Sequence, residues 1–238
     1  MNKDLTTDHV AEALTRAQQH WRNQPPSDAL TPTGITIAIS RETGTQGAAV
    51  ARQLAKRLGW PVYDRELVLR VASDMGVRQD LLESVDERRV GWLREAMTAL
   101  FAGARVDDAK YFRCLVEMLI SLASHGNCII VGRGAAAALP RQTTLRVRLV
   151  APLRHRIEVT RRETGLTSSE AARRVDTIDR ERDLFVSSHF GIDPRDPANF
   201  DVVLNVERLT HAESADVIFA AYERIRDHAK NHEPAMAS

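Results

Sequence analysis

The chain predicts a three-layer α/β domain, with a parallel sheet held between two layers of helices, and three observations carry that expectation. Short apolar runs of strand length alternate with segments of helical periodicity, and the stretches between successive strands are long enough for parallel crossovers. The run NCIIV at 127–131 is apolar without interruption and closes on Gly132, which suits a central strand covered on both faces. At 35–50 the sequence ITIAISRETGTQGAAV passes from an apolar strand through a glycine turn into a helix.

The elements follow in order. Residues 7–21 place Val10, Leu14, Ala17 and Trp21 on one helical face, with Thr7 as a candidate N-cap. NQPPSD and TPTG break that helix, so 23–34 reads as a linker. ITIAIS at 35–40 is the first strand. The helix after it, 47–58, aligns Val50, Leu54 and Leu58 and stops at Gly59, a residue suited to a C-cap. A short strand at 60–63 ends at Asp64. From 65 to 124 the pattern is helical, interrupted by the polar stretch DERR. After NCIIV, the alternation in LRVRLVA makes 145–151 a strand, and 154–164 and 168–188 read as helices. Thr167, with Glu170 three residues on, opens the second of them with a capping-box pattern. FDVVLNV at 200–206 is the last strand and 211–228 the closing helix. The organisation expected is an N-terminal helix and linker over 1–34, one domain over 35–228 and a disordered tail over 229–238.

Composition narrows the classes of function. With 238 residues, 43% of them hydrophobic and 27% charged, the chain can bury a sizeable core. A net charge of +1 gives no global field toward nucleic acid or membrane, so anion binding must come from local clustering. Cys114 and Cys128 lack metal-site spacing and read as small hydrophobes. His125, His155 and His189 show no ligand spacing either, so no metal site is expected from them. No apolar run approaches the roughly 18 residues that span a bilayer. The N-terminus has no apolar core of a signal peptide, and the expectation is a soluble cytoplasmic protein.

Four segments carry candidate chemistry. The turn Gly44-Thr45-Gln46-Gly47, leading into Ala48 and Ala49, follows the first strand, where backbone N–H groups and a helix N-terminus converge on an anion as in a phosphate-binding P-loop. The standard loop reads G-x-x-x-x-G-K-[ST]. Here Gly47 takes the lysine's place, Ala48 that of the hydroxyl and Gln46 that of the preceding glycine. The missing charge could come from Arg41. Second, Asp64 either caps the following helix or, with Arg65, faces a substrate phosphate. Third, Arg133 stands between Gly132 and Gly134 at a strand's carboxyl end, where packing explains it poorly. Fourth, 141–182 holds eleven arginines, six acidic residues and no lysine. Within it Arg182 interrupts an apolar stripe of Ala171, Val175 and Ile178, so it needs a partner, either Asp179 or a bound phosphate. Arginine suits phosphate because its planar fork binds oxygens in a fixed geometry.

The order of these features resembles the cytidylate kinase-like family of P-loop proteins, relatives of the nucleoside monophosphate kinases. Ser40, Arg41, Gly44 and Gly47 match the family's I-S-R-x-x-G-S-G-G loop, with a departure at Gln46 and with Ala48-Ala49 in place of a polar pair. Tyr63-Asp64-Arg65-Glu66 is similar to its YD-[KR]-E segment, and Ile130 to Gly134 to its IVGR strand end. Asp179, Arg182 and Phe185 resemble D-x-x-R-x-x-Y, and Asp201 to Asn205 the closing D-L-x-[IL]-N strand. The likeness covers 35–226. It implies a P-loop kinase fold with a parallel central sheet and a helical lid over 154–190. ATP with Mg²⁺ would be the cofactor, its phosphates on Gly44 to Ala49. A monophosphate acceptor would lie near Asp64, Arg65 and Arg133, and Arg174, Arg180 and Arg182 would sit on the lid. Arg41, Arg182 and Asp179 are the catalytic candidates, with Arg41 standing for the lysine and Thr45 or water serving Mg²⁺.

Two other classes compete. One is a weak or inactive nucleotide-sensing or partner-binding module, for which the N-terminal helix could supply a homodimer or partner contact. The other is a nucleic-acid binder using the arginine-rich helix, disfavoured by the near-zero net charge and few aromatics.

Overall fold

The computed structural model describes residues 34–64 and 106–231. The helix expected at 7–21, the linker to 33, Arg65 and the helical stretch to 105 lie outside the described residues. Within them a five-stranded sheet has the order β2-β3-β1-β4-β5, with every pairing parallel. Its strands are β1 (Thr36–Arg41), β2 (Val62–Tyr63), β3 (Cys128–Val131), β4 (Thr144–Val150) and β5 (Val202–Asn205). The helices are α1 (Gly47–Leu58), α2 (Val106–Ser124), α3 (Ala135–Ala138), α4 (Leu153–Thr164), α5 (Ser168–Phe190) and α6 (His211–Asn231).

β1 lies at the centre because its sequence permits burial on both sides. Ile35, Ile37 and Ile39 pack with Val50, Ala51 and Leu54 of α1 and with Ile218 and Tyr222 of α6. Ala38 faces the other way, into a core built from Leu115, Leu119 and Leu122 of α2 and Ile130 of β3. Two apolar faces on one sheet make three layers. On the alanine side the Thr36 hydroxyl contacts Cys128 Sγ at 3.7 Å.

Helix ends behave as the composition suggested. Gly59 adopts a left-handed conformation (φ 70°) and its N–H donates to Ala55 O at 2.8 Å, closing α1. Both halves of the capping box at Thr167 and Glu170 are formed. Some boundaries differ from expectation. α5 runs two residues beyond 188 to Phe190, and α6 three beyond 228 to Asn231, into the expected tail. The short α3 after Gly134 has no sequence signal, since four alanines carry no periodicity.

The path through the sheet sets the site. The chain leaves β1 for the edge at β2, returns to β3 beside β1, then crosses to β4 on the opposite side of β1. Such a reversal opens a crevice beyond the carboxyl ends of the strands it separates, here β1, β3 and β4.

Cys128 is fully buried, and burial pushes its thiol up to about 12. A neutral, enclosed thiol is a poor nucleophile. Iodoacetamide at pH 8 should therefore leave the Cys128 peptide unmodified in native protein and alkylate it in denaturant, as read by mass spectrometry.

Candidate functional site

The crevice contains a cavity of about 380 Å³, within the range that holds small ligands. Ile39 and Ser40 of β1 and Arg148 of β4 form its floor, Gly134 to Ala137 one wall, and Asp179 to Val186 of α5 the roof. Ile192, Pro194, Asn199 and Phe200 close the outer side. Six arginines line it (41, 133, 148, 156, 182 and 195) against four carboxylates (Glu42, Asp179, Glu181 and Asp183), a surplus of two positive charges. That balance suits an anionic ligand.

The carboxylates sit between the arginines. Glu42 lies 3.6 Å from Arg148 Nη2 and 3.2 Å from Arg156 Nε, and it also accepts the Ala151 N–H at 3.3 Å. Arg148 is only 7% exposed, donates to Pro194 O at 2.7 Å and lies 5.7 Å from the Phe200 ring centroid. Asp183 binds Arg195 at 2.6 Å, and this contact strengthens the arginine's hold on its proton.

Asp179 does not present its carboxylate to the cavity as an isolated acid. Its Oδ1 accepts the Thr43 N–H at 2.8 Å and the Thr43 hydroxyl at 2.6 Å, while Oδ2 lies 2.6 Å from Arg156 Nη1. Arg182 joins the same cluster, with Nη1 3.1 Å from Thr43 Oγ1, 3.4 Å from Arg41 O and 3.8 Å from Asp179. Of the two partners expected for Arg182, Asp179 and a bound phosphate, Asp179 lies within 3.8 Å.

The loop after β1 is tightly folded. Gly44 (φ 85°) is pressed on α4, and a Cβ there would stand 2.4 Å from Arg156 O. The Thr45 N–H and hydroxyl both turn inward to Glu42 O, at 3.3 and 2.7 Å, and the Ala49 N–H donates to Gln46 O at 2.8 Å. Two of the five amides expected to meet phosphate are thus engaged within the loop. Gln46 caps α1 in a left-handed conformation, and its side chain bridges Glu163 and His211, each at 2.8 Å. Gly47 packs on the Arg41 stem, and Ala48 and Ala49 lie in the first turn of α1.

Arg41 crosses Gly132, where a Cβ would meet Arg41 Nη1 at 1.8 Å. Glycine suits that position because φ is 79°, while the flexible end of Arg41 could shift away from an added Cβ. Arg133 itself holds φ 57°, an uncommon state for a long side chain that points to a local role. Asp64 ends β2, two strands from β1, and is not among the lining residues. Arg174 is exposed, and Arg180 pairs with Asp176 on the outer face of α5, so neither lid arginine reaches the cavity in this conformation. Arg148, Arg156, Arg195, Thr43 and Glu42 were not singled out from sequence. Arg146 and Arg148 did leave a signal, because they share one face of a strand whose neighbours are apolar.

The donor set fits phosphate oxygens better than a metal ion. Guanidiniums and backbone amides are phosphate donors. For a Mg²⁺ held by side chains of this loop the fit fails: the Thr45 hydroxyl is buried in its turn, Thr43 is bound to Asp179, and Ala48 has no side-chain oxygen to offer. Among the described residues no three His, Cys, Asp or Glu side chains converge as metal ligands. Nor is any helix among them long and apolar enough to cross a membrane.

Comparison with known proteins adds four likenesses. The sequence model of the cytidylate kinase-like family matches residues 36–208. A cytidylate kinase from Methanopyrus kandleri is 29% identical over 199 residues, 79% of this chain and 93% of that protein. A uronate isomerase from Corynebacterium glutamicum is 27% identical over 159 residues, 64% of this chain, and the chain spans 30% of that protein's length. Among solved structures, an uncharacterised protein from Eubacterium ventriosum superposes with a TM-score of 0.66 at 21% identity, over 81% of this chain and 99% of the other. That likeness is one of fold.

Arg148 joins β4 to the 194–200 segment and to Glu42. Replacing it by methionine leaves Pro194 O and Glu42 short of a donor, a loss of about 1–3 kcal/mol. Urea denaturation of Arg148→Met should show a lower midpoint with an unchanged slope.

Proposed function

The chain belongs to the cytidylate kinase-like family, and on that footing we propose that it is a phosphotransferase moving the γ-phosphoryl group of ATP to a nucleoside monophosphate. The observation that carries the reading is the arginine-rich cavity at the carboxyl edge of the sheet, lined by Arg41 and Glu42 where β1 ends and the glycine loop begins. Donor phosphates would lie on the loop from Gln46 to Ala48, and the acceptor in the cavity with its phosphate toward Arg133 and Arg148. Arg41 and Arg182, which approach the loop from β1 and from α5, would border the group in transit. Phosphoryl transfer asks little covalent chemistry of a protein, so positioning and charge neutralisation carry it. The roof formed by α5 would exclude water and so limit hydrolysis. Cytidine monophosphate is the first acceptor to try, given the cytidylate kinase among the relatives.

One observation favours a second reading. Gly47 and Ala48 occupy the places of the loop lysine and hydroxyl, so a module that binds nucleotide without turnover fits the same fold. The two readings separate in one assay series. Purified protein with ATP and Mg²⁺ should phosphorylate at least one of CMP, dCMP, UMP and AMP, and Arg182→Gln should lower kcat by on the order of 10³. Calorimetric nucleotide binding without transfer to any of the four would replace the kinase reading by the sensing one. Should Arg41→Ala prove as active as the parent, Arg41 is not the substitute for the lysine.

A further inference from the structure

The loop that is proposed to receive phosphate already holds an anion. Around the single carboxylate of Asp179 stand one backbone amide and one hydroxyl, both of Thr43 at 2.8 and 2.6 Å, with Arg156 at 2.6 Å and Arg182 at 3.8 Å. This is the mixture of loop amide, hydroxyl and guanidinium that proteins use for phosphate oxygens. The cage is partly sealed: the Arg156 and Asp179 side chains are 12% and 17% exposed. Charge interactions are stronger there than at the surface.

Charge compensation is only part of what the arrangement does. Arg156 also meets Glu42 at 3.2 Å, a carboxylate that it shares with Arg148. α5 does not need the contact as an anchor along its length, since it has its own capping box and buries Ala171 and Val175. What the contact does achieve is to place a negative charge on the first amide past Glu42, at the mouth of the loop.

We infer that Thr43, Arg156 and Arg182 form a phosphate-binding cage in which Asp179 is a built-in competitor. An entering phosphate oxygen takes the Thr43 N–H and the facing guanidiniums, the carboxylate is expelled by like-charge repulsion, and α5 loses its tie to the loop. Occupancy of the loop and the position of α5 are thereby linked. The inference rests on the phosphate-binding part of the proposed function, and it adds that the resting protein binds phosphate more weakly than the cage permits.

Calorimetric titration of the full chain with tripolyphosphate, in buffer containing EDTA, tests it. Asp179→Ala removes the competitor and should bind about tenfold more tightly than the parent, because the fraction of competent sites rises. Asp179→Asn keeps the shape and one acceptor oxygen while removing the charge, and should show a smaller gain. Should the alanine variant melt abnormally, the near-isosteric asparagine variant decides. Variants that bind as the parent does, or more weakly, overturn the inference and leave phosphate binding standing. If neither the parent nor either variant binds tripolyphosphate, the phosphate-binding reading falls and the inference falls with it.

Discussion

The functional edge depends on one constraint, that β1 has neither an exposed face nor a free edge. It pairs with β3 and β4, and residues 36–39 are almost completely buried. A strand so enclosed can turn only at its end, and the turn must emerge between its two neighbours. Glu42 to Gln46, the Gly132–Gly134 turn and the end of β4 therefore meet in one crevice without any loop having to reach for the others. Local sequence then decides what the crevice contains. The short residues at 132 and 134 to 137 clear space, and arginines from β1, β4, α4, α5 and two connecting segments enter it.

Packing so much positive charge at a half-buried edge is possible only with compensation. Isolated buried charges are strongly unfavourable, whereas paired and hydrogen-bonded ones are tolerated. Glu42 and Asp179 provide this by standing in series: Arg148, Glu42, Arg156, Asp179 and Arg182 alternate in sign along a continuous path from β4 to α5. Each carboxylate also accepts a backbone N–H, of Ala151 and of Thr43. The path is thus hydrogen-bonded to the backbone just past the ends of β4 and β1. Its members share partners, so their contributions to stability will not add as independent terms.

Much of this was legible in the sequence, and the parts that were not have physical reasons. β3 announced itself through a continuous apolar run, since a parallel sheet buries both faces, and β4 through alternation. The capping box at Thr167 and Glu170 and the stop at Gly59 are local chemistry and could be read as such. Arg133 between its glycines and Arg182 in an apolar stripe stood out because each broke a local pattern. Glu42, Arg156 and Thr43 broke none; their role comes from contacts more than a hundred residues apart in two cases and from the packing of α4 on Gly44. Asp179 was found by its spacing to Arg182, but its bond to the loop amide depends on how α5 crosses β1, which no residue pattern encodes. The same limit explains Arg174 and Arg180: charge density on a helix says that arginines are present, and only the rotation of the helix says which of them face inward.

Moving positive charge off the loop has a consequence for how the site can work. A lysine in the loop itself would keep the phosphate site cationic whatever the surrounding helices did. Here the charge belongs to β1, to the β3–α3 turn, to β4, to α4, to α5 and to the segment after it, so the field at the cavity exists only when those parts are assembled. The first three belong to the sheet or to a turn that leaves it. α5 is not part of the sheet, and it contributes Arg182 and Asp179 together, a pair of zero net charge held against Thr43. The helix therefore brings its arginine to the loop without adding to the net attraction for an anion. It begins to add only when the carboxylate leaves the Thr43 amide while the guanidinium stays. Separating that pair, by a ligand oxygen or by a shift of the helix, would leave the arginine uncompensated and raise the pull of the edge on an anion.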